Sequence, residues 1–187
     1  MTIPLNTQLI TDRCVLSSVS DEDLEHIWTA TRYPGFNDGM LWDPPAAREE
    51  ISNWTEKTLD LWRKGVQYTF SIRSKDAADF IGRIVLRPLK PEESIWYLGY
   101  WIHPLHWNKG YATEAAREML NFGFTQLGVR RIESSHALWN KASAAVIRKL
   151  GMHFRGEKPQ GFMKRGEWVA EGEYYMTAED FGAPNIQ

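Results

Sequence analysis

Between an aromatic strand pattern and a helix of small side chains lies Trp107-Asn108-Lys109-Gly110-Tyr111-Ala112-Thr113-Glu114-Ala115. No other segment restricts the fold as tightly. The strand, Ser94 to His103, must break at Pro104, turn through Asn-Lys-Gly and start a helix running from Tyr111 to about Leu127. A helix start leaves its first backbone N–H groups without partners, and the helix dipole adds positive potential there. Together they attract an anion, most naturally phosphate. Gly110 permits a tight backbone and close ligand approach, and Lys109 adds positive charge. The same residues also suit an ordinary strand-to-helix turn of an α/β domain.

The rest of the chain alternates without a dividing linker. Leu9 to Val19 reads as a strand, and Ser20 caps a helix over Asp21 to about Thr31. A turn-rich loop with large apolar side chains, Tyr33 to Pro45, leads to a second helix from Ala46 to about Arg63, striped by Ile51, Trp54, Thr58, Leu61 and Trp62. Val66 to Arg73 and Asp79 to Leu89 read as paired strands joined by Ser74 to Ala78, with Ser94 to His103 beside them. Gly128 stops the helix of the central motif, and Arg130 to Leu138 is the next strand. Asn140 caps a short helix through Leu150 that Gly151 ends, and strands Met152 to Glu157 and Glu167 to Thr177 flank a Pro/Gly turn. This order implies an α/β (α+β by some schemes) mixed sheet covered by helices on both faces.

Composition excludes several classes. A chain of 187 residues suits one domain, 1–187, with a real core. A net charge of −2 and the lack of any Lys/Arg run argue against nucleic acid as a partner. The lone Cys14 fits a reducing compartment, and Met1 to Asn6 shows no signal-peptide pattern. No stretch reaches the ~18 apolar residues of a membrane helix, so a soluble cytoplasmic protein without membrane partners is the expectation. Phosphate-loop, dinucleotide and Gly-x-Ser-x-Gly patterns are absent. His103 and His106, split by Pro104 and without Cys or acidic neighbours, give no metal site. The nine tryptophans, at regular strand and helix positions, read as core rather than a carbohydrate surface.

Two segments together carry a resemblance. Leu98-Gly99-Tyr100-Trp101-Ile102-His103-Pro104 followed by WNKGYATEA is similar to the acyl-CoA-binding segment of the GNAT N-acetyltransferase superfamily. Asn140-Lys141-Ala142-Ser143, with Lys149-Leu150-Gly151-Met152 after it, is similar to that family's Asn-x-x-Ser helix and its ending. The chain resembles the RimJ/RimL-like branch over nearly its whole length, from Leu9 to Trp168. The resemblance implies the acyl-CoA N-acyltransferase fold, a mostly antiparallel central sheet of about seven strands. It also implies transfer of acetyl from acetyl-CoA, as co-substrate and without a metal, to a primary amine, by direct attack in a ternary complex. Amides of Asn108, Lys109, Gly110, Tyr111, Ala112 and Thr113 would hold the pyrophosphate. The strand edge at Trp101, Ile102 and His103 would bond the pantetheine on one side and Asn140 on the other, with Ser143 near the thioester. Trp107 departs from the Gln or Arg usual at its position, which loses a polar contact and leaves the backbone site intact.

The chemistry requires a neutral amine and a proton for the leaving thiolate. An α-amine, with a pKa near ~8, is roughly a tenth neutral at pH 7, so it needs only a weak base or ordered water. Glu133 and His136 are the candidates; odd spacing on one strand sends them to opposite faces. Glu133 also suits an ion pair with Arg131, His136 suits a core histidine beside Ile132, Ser134 and Leu138, and Glu114 suits a first-turn acid. Ile147 stands where many relatives carry the acidic Tyr, which leaves Ser143 as the hydroxyl donor or as a helix-start serine. The acceptor pocket is expected from the loop Tyr33 to Pro45, the second helix and the closing strands. The readings left open are a protein or peptide N-terminal acetyltransferase, a small-molecule amine acetyltransferase and a catalytically degenerate acyl-CoA-binding module, as monomer or homodimer.

Overall fold

The computed structural model describes residues 3–182. Eight strands form one sheet: β1 (Leu9–Ile10), β2 (Cys14–Ser18), β3 (Tyr68–Ser74), β4 (Phe80–Lys90), β5 (Ile95–Ile102), β6 (Arg131–Ala137), β7 (His153–Lys164) and β8 (Glu167–Thr177). Their spatial order is β1-β2-β3-β4-β5-β6-β8-β7, and every neighbouring pair is antiparallel except β5 and β6. The helices are α1 (Asp23–Ala30), α2 (Trp54–Arg63), α3 (Tyr111–Thr125), α4 (Lys141–Lys149) and the short α5 (Ala178–Phe181).

The eighth strand arises because Leu9 to Val19 is not one strand. Thr11 Oγ1 accepts from Cys14 N at 2.9 Å and donates to Glu114 Oε1 at 2.6 Å, closing a turn that folds β1 back on β2. The second helix is shorter than its apolar stripe predicts. Arg48–Ile51 is a separate 3-10 turn, and Ser52 Oγ spends its hydrogen on Glu49 O at 2.7 Å, a local bond that competes with helix continuation. The closing hairpin is longer than expected. Pro159 lies in β7, at the edge of the sheet, where a missing N–H costs no ladder bond, and the turn falls at Arg165-Gly166, both at positive φ.

Alternation along the strands separates two faces. Tyr68, Phe70, Ile84, Leu86, Leu98 and Ile132 face α3, where Phe122 meets Tyr68 and Phe70 edge-on. The opposite face carries Ser71 and Arg83, onto which α1 is fastened by its fully buried Asp23. That carboxylate accepts from Arg73 at 2.6 Å and Arg83 at 3.2 Å, and also from Ser71. The loop between α1 and α2 continues over this face, with Phe36 edge-on to Trp101 and Trp42 edge-on to Trp54.

Candidate active site

The parallel pair β5–β6 is joined only at Ile95↔Arg131, Trp96↔Ile132 and Tyr97↔Glu133. Both strands run on, to Ile102 and Ala137, without pairing to each other, so the sheet opens between them. Trp101 points its carbonyl at β4, where an added Cβ on Gly82 would meet it at 2.2 Å. Alternation therefore aims the main-chain groups of Leu98, Tyr100 and Ile102 into the gap. Ser134 Oγ donates to Leu98 O at 3.0 Å and Trp107 Nε1 to Ile102 O at 2.7 Å. The indole at the position where relatives carry a polar side chain thus makes a polar contact of its own. His103 N is turned the other way, to Ile81 O at 2.8 Å. The edge left for an extended ligand centres on Tyr100, slightly upstream of the predicted Trp101–His103 stretch.

At the end of β5 the chain makes a 3-10 turn, Pro104–His106, and then the predicted loop. Asn108 and Gly110 take positive φ, 60° and 83°, and Gly110 is the N-cap of α3. The cap makes no side-chain bond, and the first helical bond runs from Glu114 N to Gly110 O, so the amides of Tyr111, Ala112 and Thr113 are unclaimed by a cap. Those donors fit a pyrophosphate. Lys109 Nζ is drawn back to Leu105 O at 3.0 Å, and Lys109 O accepts from Arg13 Nη1 at 3.0 Å.

Arg13 escaped sequence reasoning. It pairs with Glu114 at 2.6 Å and lies over the Tyr111 ring at 4.7 Å, so the first-turn acid ties the β1–β2 turn to the loop. Burial pushes the Glu114 carboxyl up, but the Thr11 hydroxyl, the Arg13 N–H and the Arg13 guanidinium outweigh it and hold it below its ordinary value.

Across the opening, Asn140 caps α4 by accepting from Ser143 N at 3.0 Å, which leaves its amide nitrogen beside Gly39 of the α1–α2 loop. Ser143 Oγ meets Tyr100 OH at 3.0 Å. Tyr100 was not singled out in the sequence, although strand alternation already placed it on the face opposite Trp101. Burial pushes its phenol up to about 12, against the pull of the Ser143 bond. Ile147, at the position of the missing tyrosine, is fully buried.

The two base candidates lie on opposite faces of β6. Glu133 pairs with Arg131 at 3.0 Å and accepts from Arg155 Nη1 at 3.1 Å. His136 is buried on the helix side, its Nδ1 against Ala137 O at 2.8 Å and its Nε2 3.5 Å from Tyr174 OH. On the side away from α3, a cleft of about 230 Å³ opens among Leu41, Tyr97, Ser135, Phe162 and Glu171. The loop above it is held by β7, where the buried Lys164 donates to Trp42 O and pairs with Asp43, both at 2.8 Å, and by Arg165–Asp38 at 3.3 Å. Among the described residues no group of three or more His, Cys, Asp or Glu is placed to hold a metal, and no helix is long and apolar enough to cross a membrane.

Comparison with known proteins yields one consistent result. A sequence model of the acetyltransferase (GNAT) domain matches residues 13–153. The chain is 27% identical over 164 residues to the uncharacterized N-acetyltransferase YoaA of Bacillus subtilis strain 168, spanning 84% of this chain and 89% of that protein. It is 30% identical over 158 residues to YkkB of the same organism, spanning 79% and 86%. The fold is shared with a GNAT-family acetyltransferase from Bacillus anthracis, with TM-score 0.82, 23% identity, and 92% and 99% of the two chains covered. It is shared as well with RimL, a ribosomal L7/L12 α-N-protein acetyltransferase in complex with coenzyme A, with TM-score 0.83, 15% identity, and 93% and 99% covered.

Proposed function

This chain belongs to the GNAT acetyltransferase family and is an acetyl-CoA-dependent N-acetyltransferase, and we propose that its acceptor is the α-amine of a protein or peptide N-terminus. The observation that carries the proposal is the opening in the sheet between β5 and β6, with an uncapped helix start at one end and a cleft on the far side. The amides of Tyr111, Ala112 and Thr113 bind the pyrophosphate, the Tyr100 edge and the Asn140 amide align the pantetheine, and Ser143 gives a proton to the departing sulfur. An extended N-terminal peptide enters from the cleft, beneath the Tyr33–Pro45 loop. Likeness to RimL supports this acceptor at the level of the fold. An α-amine, with a pKa near ~8, also asks less of a base than a lysine at ~10.4.

The test has two arms. Acetyl-CoA at ~100 times its Kd should stabilise the fold by ~2.7 kcal/mol, seen as a rise in Tm. Gly110→Asp should abolish the rise, since its carboxylate would stand beside the free amides and compete with Glu114 for Arg13, whose Nη2 is 3.4 Å from the position of an added Cβ. Undiminished stabilisation of that variant overturns the site. Thiol release is then measured with N-terminal peptides and with a panel of small amines, including a polyamine. Turnover confined to the small amines overturns the peptide acceptor, and binding without any turnover marks an acyl-CoA-binding module.

A further inference from the structure

In the cleft, a chain of three side chains spans the mouth of the opening on the face away from α3. Tyr97 OH is 3.1 Å from Ser135 Oγ, and Ser135 Oγ donates to Glu171 Oε1 at 2.7 Å. The serine has one hydrogen and gives it to the carboxylate, so the Tyr97–Ser135 bond must be donated by tyrosine. The direction Tyr97 to Ser135 to Glu171 is thus fixed, ending at a carboxylate whose second oxygen is left free of it. Tyr97 is in the last paired register of β5, and Ser135 lies just beyond the last pair on β6. The chain therefore stands where an amine must pass to reach a carbonyl held between the strands.

A distortion of the sheet makes room for Glu171. The β7–β8 register jumps between Lys158↔Glu171 and Phe162↔Val169, a bulge that brings Gly161 over the carboxylate. A Cβ on Gly161 would lie 2.3 Å from Glu171 Cγ and 2.6 Å from Oε2, so only glycine leaves the side chain where it is. This stretch, Pro159-Gln160-Gly161, is the one that the sequence presents as a simple turn.

We propose that Glu171, oriented by Ser135 and Tyr97, is the group that takes the proton from the acceptor's ammonium. The inference rests on the acetyl-transfer reading above and assigns the base that reading leaves open. In the step, an N–H bond of R–NH3+ breaks and its proton goes to Glu171 Oε2. The freed lone pair forms the C–N bond, and Glu171, once its first proton has gone to solvent, takes the second proton that leaves the nitrogen of the adduct. The C–S bond breaks, and the sulfur takes its proton on the other face, from Ser143. Ser143 regains a hydrogen from solvent, and Glu171 returns its second proton there. The charged and titratable groups around it are Lys158 on β7, Glu173 on β8, Glu133 on β6 with its arginine partners, Tyr97 on β5 and Arg87 on β4, whose guanidinium lies 4.8 Å over the Tyr97 ring. Burial and the Glu171 charge push the Tyr97 phenol up against the pull of its Ser135 bond, so it remains a donor through neutral pH.

The test compares Glu171→Gln with the wild type, using an alanine-initiated hexapeptide over pH 6 to 10. General-base assistance is worth ~10²–10⁴-fold. The variant can use only amine that is already neutral, so its kcat/KM should fall by about a hundredfold at pH 6.5. The deficit should shrink as pH rises through the amine's own ~8. Glu171→Asp should lie between the two. Gly161→Ala, which leaves the carboxylate but displaces it, should reproduce the pH-dependent loss. Stabilisation by acetyl-CoA should be unchanged in all three. A deficit constant across pH, or one confined to KM, overturns the role and leaves Glu171 a structural partner of Ser135. Wild-type protein that releases no thiol with any amine instead overturns the reading on which the inference stands.

Discussion

Replacing Ser143 by alanine removes the hydroxyl that stands between Tyr100 and the opening, and the geometry predicts how the two residues combine. Ser143 Oγ is 3.0 Å from Tyr100 OH, and among the described residues the only other partner of that phenol is Ser143 O at 3.4 Å. If Ser143 gives its hydrogen to the sulfur, Tyr100 must donate to Ser143, and the phenol acts through the serine alone. Losing a positioned donor typically costs tenfold to a thousandfold in rate, so Ser143→Ala should lower kcat by at least about tenfold with little change in acetyl-CoA affinity. Tyr100→Phe removes one supporting bond, worth ~0.5–1.5 kcal/mol, or about two- to tenfold at 1.36 kcal/mol per decade. In the double variant the phenol has no serine to act through, so kcat should match Ser143→Ala within about twofold. The assay is single-turnover acetyl transfer, where chemistry and not product release is timed. Wild-type turnover by Ser143→Ala would reduce the serine to a helix-start residue. A double variant whose loss equals the product of the single losses would refute the coupled pair. Burial pushes Tyr100 to about 12, so a falling limb below pH 10 that vanishes in Tyr100→Phe would also contradict the reasoning.

Two further outcomes follow from partners already described. Glu114 is held below its ordinary value in the folded state, so the stability it contributes is present above the unfolded carboxyl value and is lost as pH falls through the folded one. Glu114→Gln should flatten the acid limb of Tm against pH below about 4.5 and weaken acetyl-CoA binding several-fold by freeing Arg13 from the loop, and an unaltered acid limb would count against the assignment. His136→Gln should leave the pH dependence of kcat/KM in place, because the imidazole is buried on the face away from Glu171, and loss of the rising limb in that variant would move the base to His136.

What the sequence made legible was local. The loop at the start of α3 could be read because a helix start, a glycine and a strand break are properties of adjacent residues, and the Asn140 cap on Ser143 N is likewise a contact between near neighbours in the chain. The strand alternation that separates Glu133 from His136 also needs only a period of two. The missed residues meet across long separations, with Arg13 and Glu114 101 positions apart and Tyr100 and Ser143 43 apart. Ser135 and Glu171 were hidden for a further reason. A bulge shifts register without marking the sequence, and Pro159 and Gly161 signal a turn wherever they occur, including within an edge strand that tolerates both.

The one parallel pair explains why the parts meet where they do. Antiparallel neighbours can be joined by a tight turn, but parallel ones need a crossover that carries the chain back along the sheet. Here the crossover from β5 to β6 is α3. The helix start must therefore lie just past the C-terminal end of β5, the same end at which the two strands, no longer paired after Tyr97 and Glu133, draw apart. An uncapped helix start and an opening in the sheet thus follow from one connection. Because an open pair exposes both faces to the same gap, alternation along β5 can post Tyr100 on one side and Tyr97 on the other. Acetyl transfer needs a proton delivered to sulfur and another removed from nitrogen, and two donors facing the same side would put those tasks in competition. On the proposed roles, with Tyr100 supporting Ser143 and Ser135 supporting Glu171, each proton would have its own face, and the strand backbone between them would keep the acid from neutralising the base.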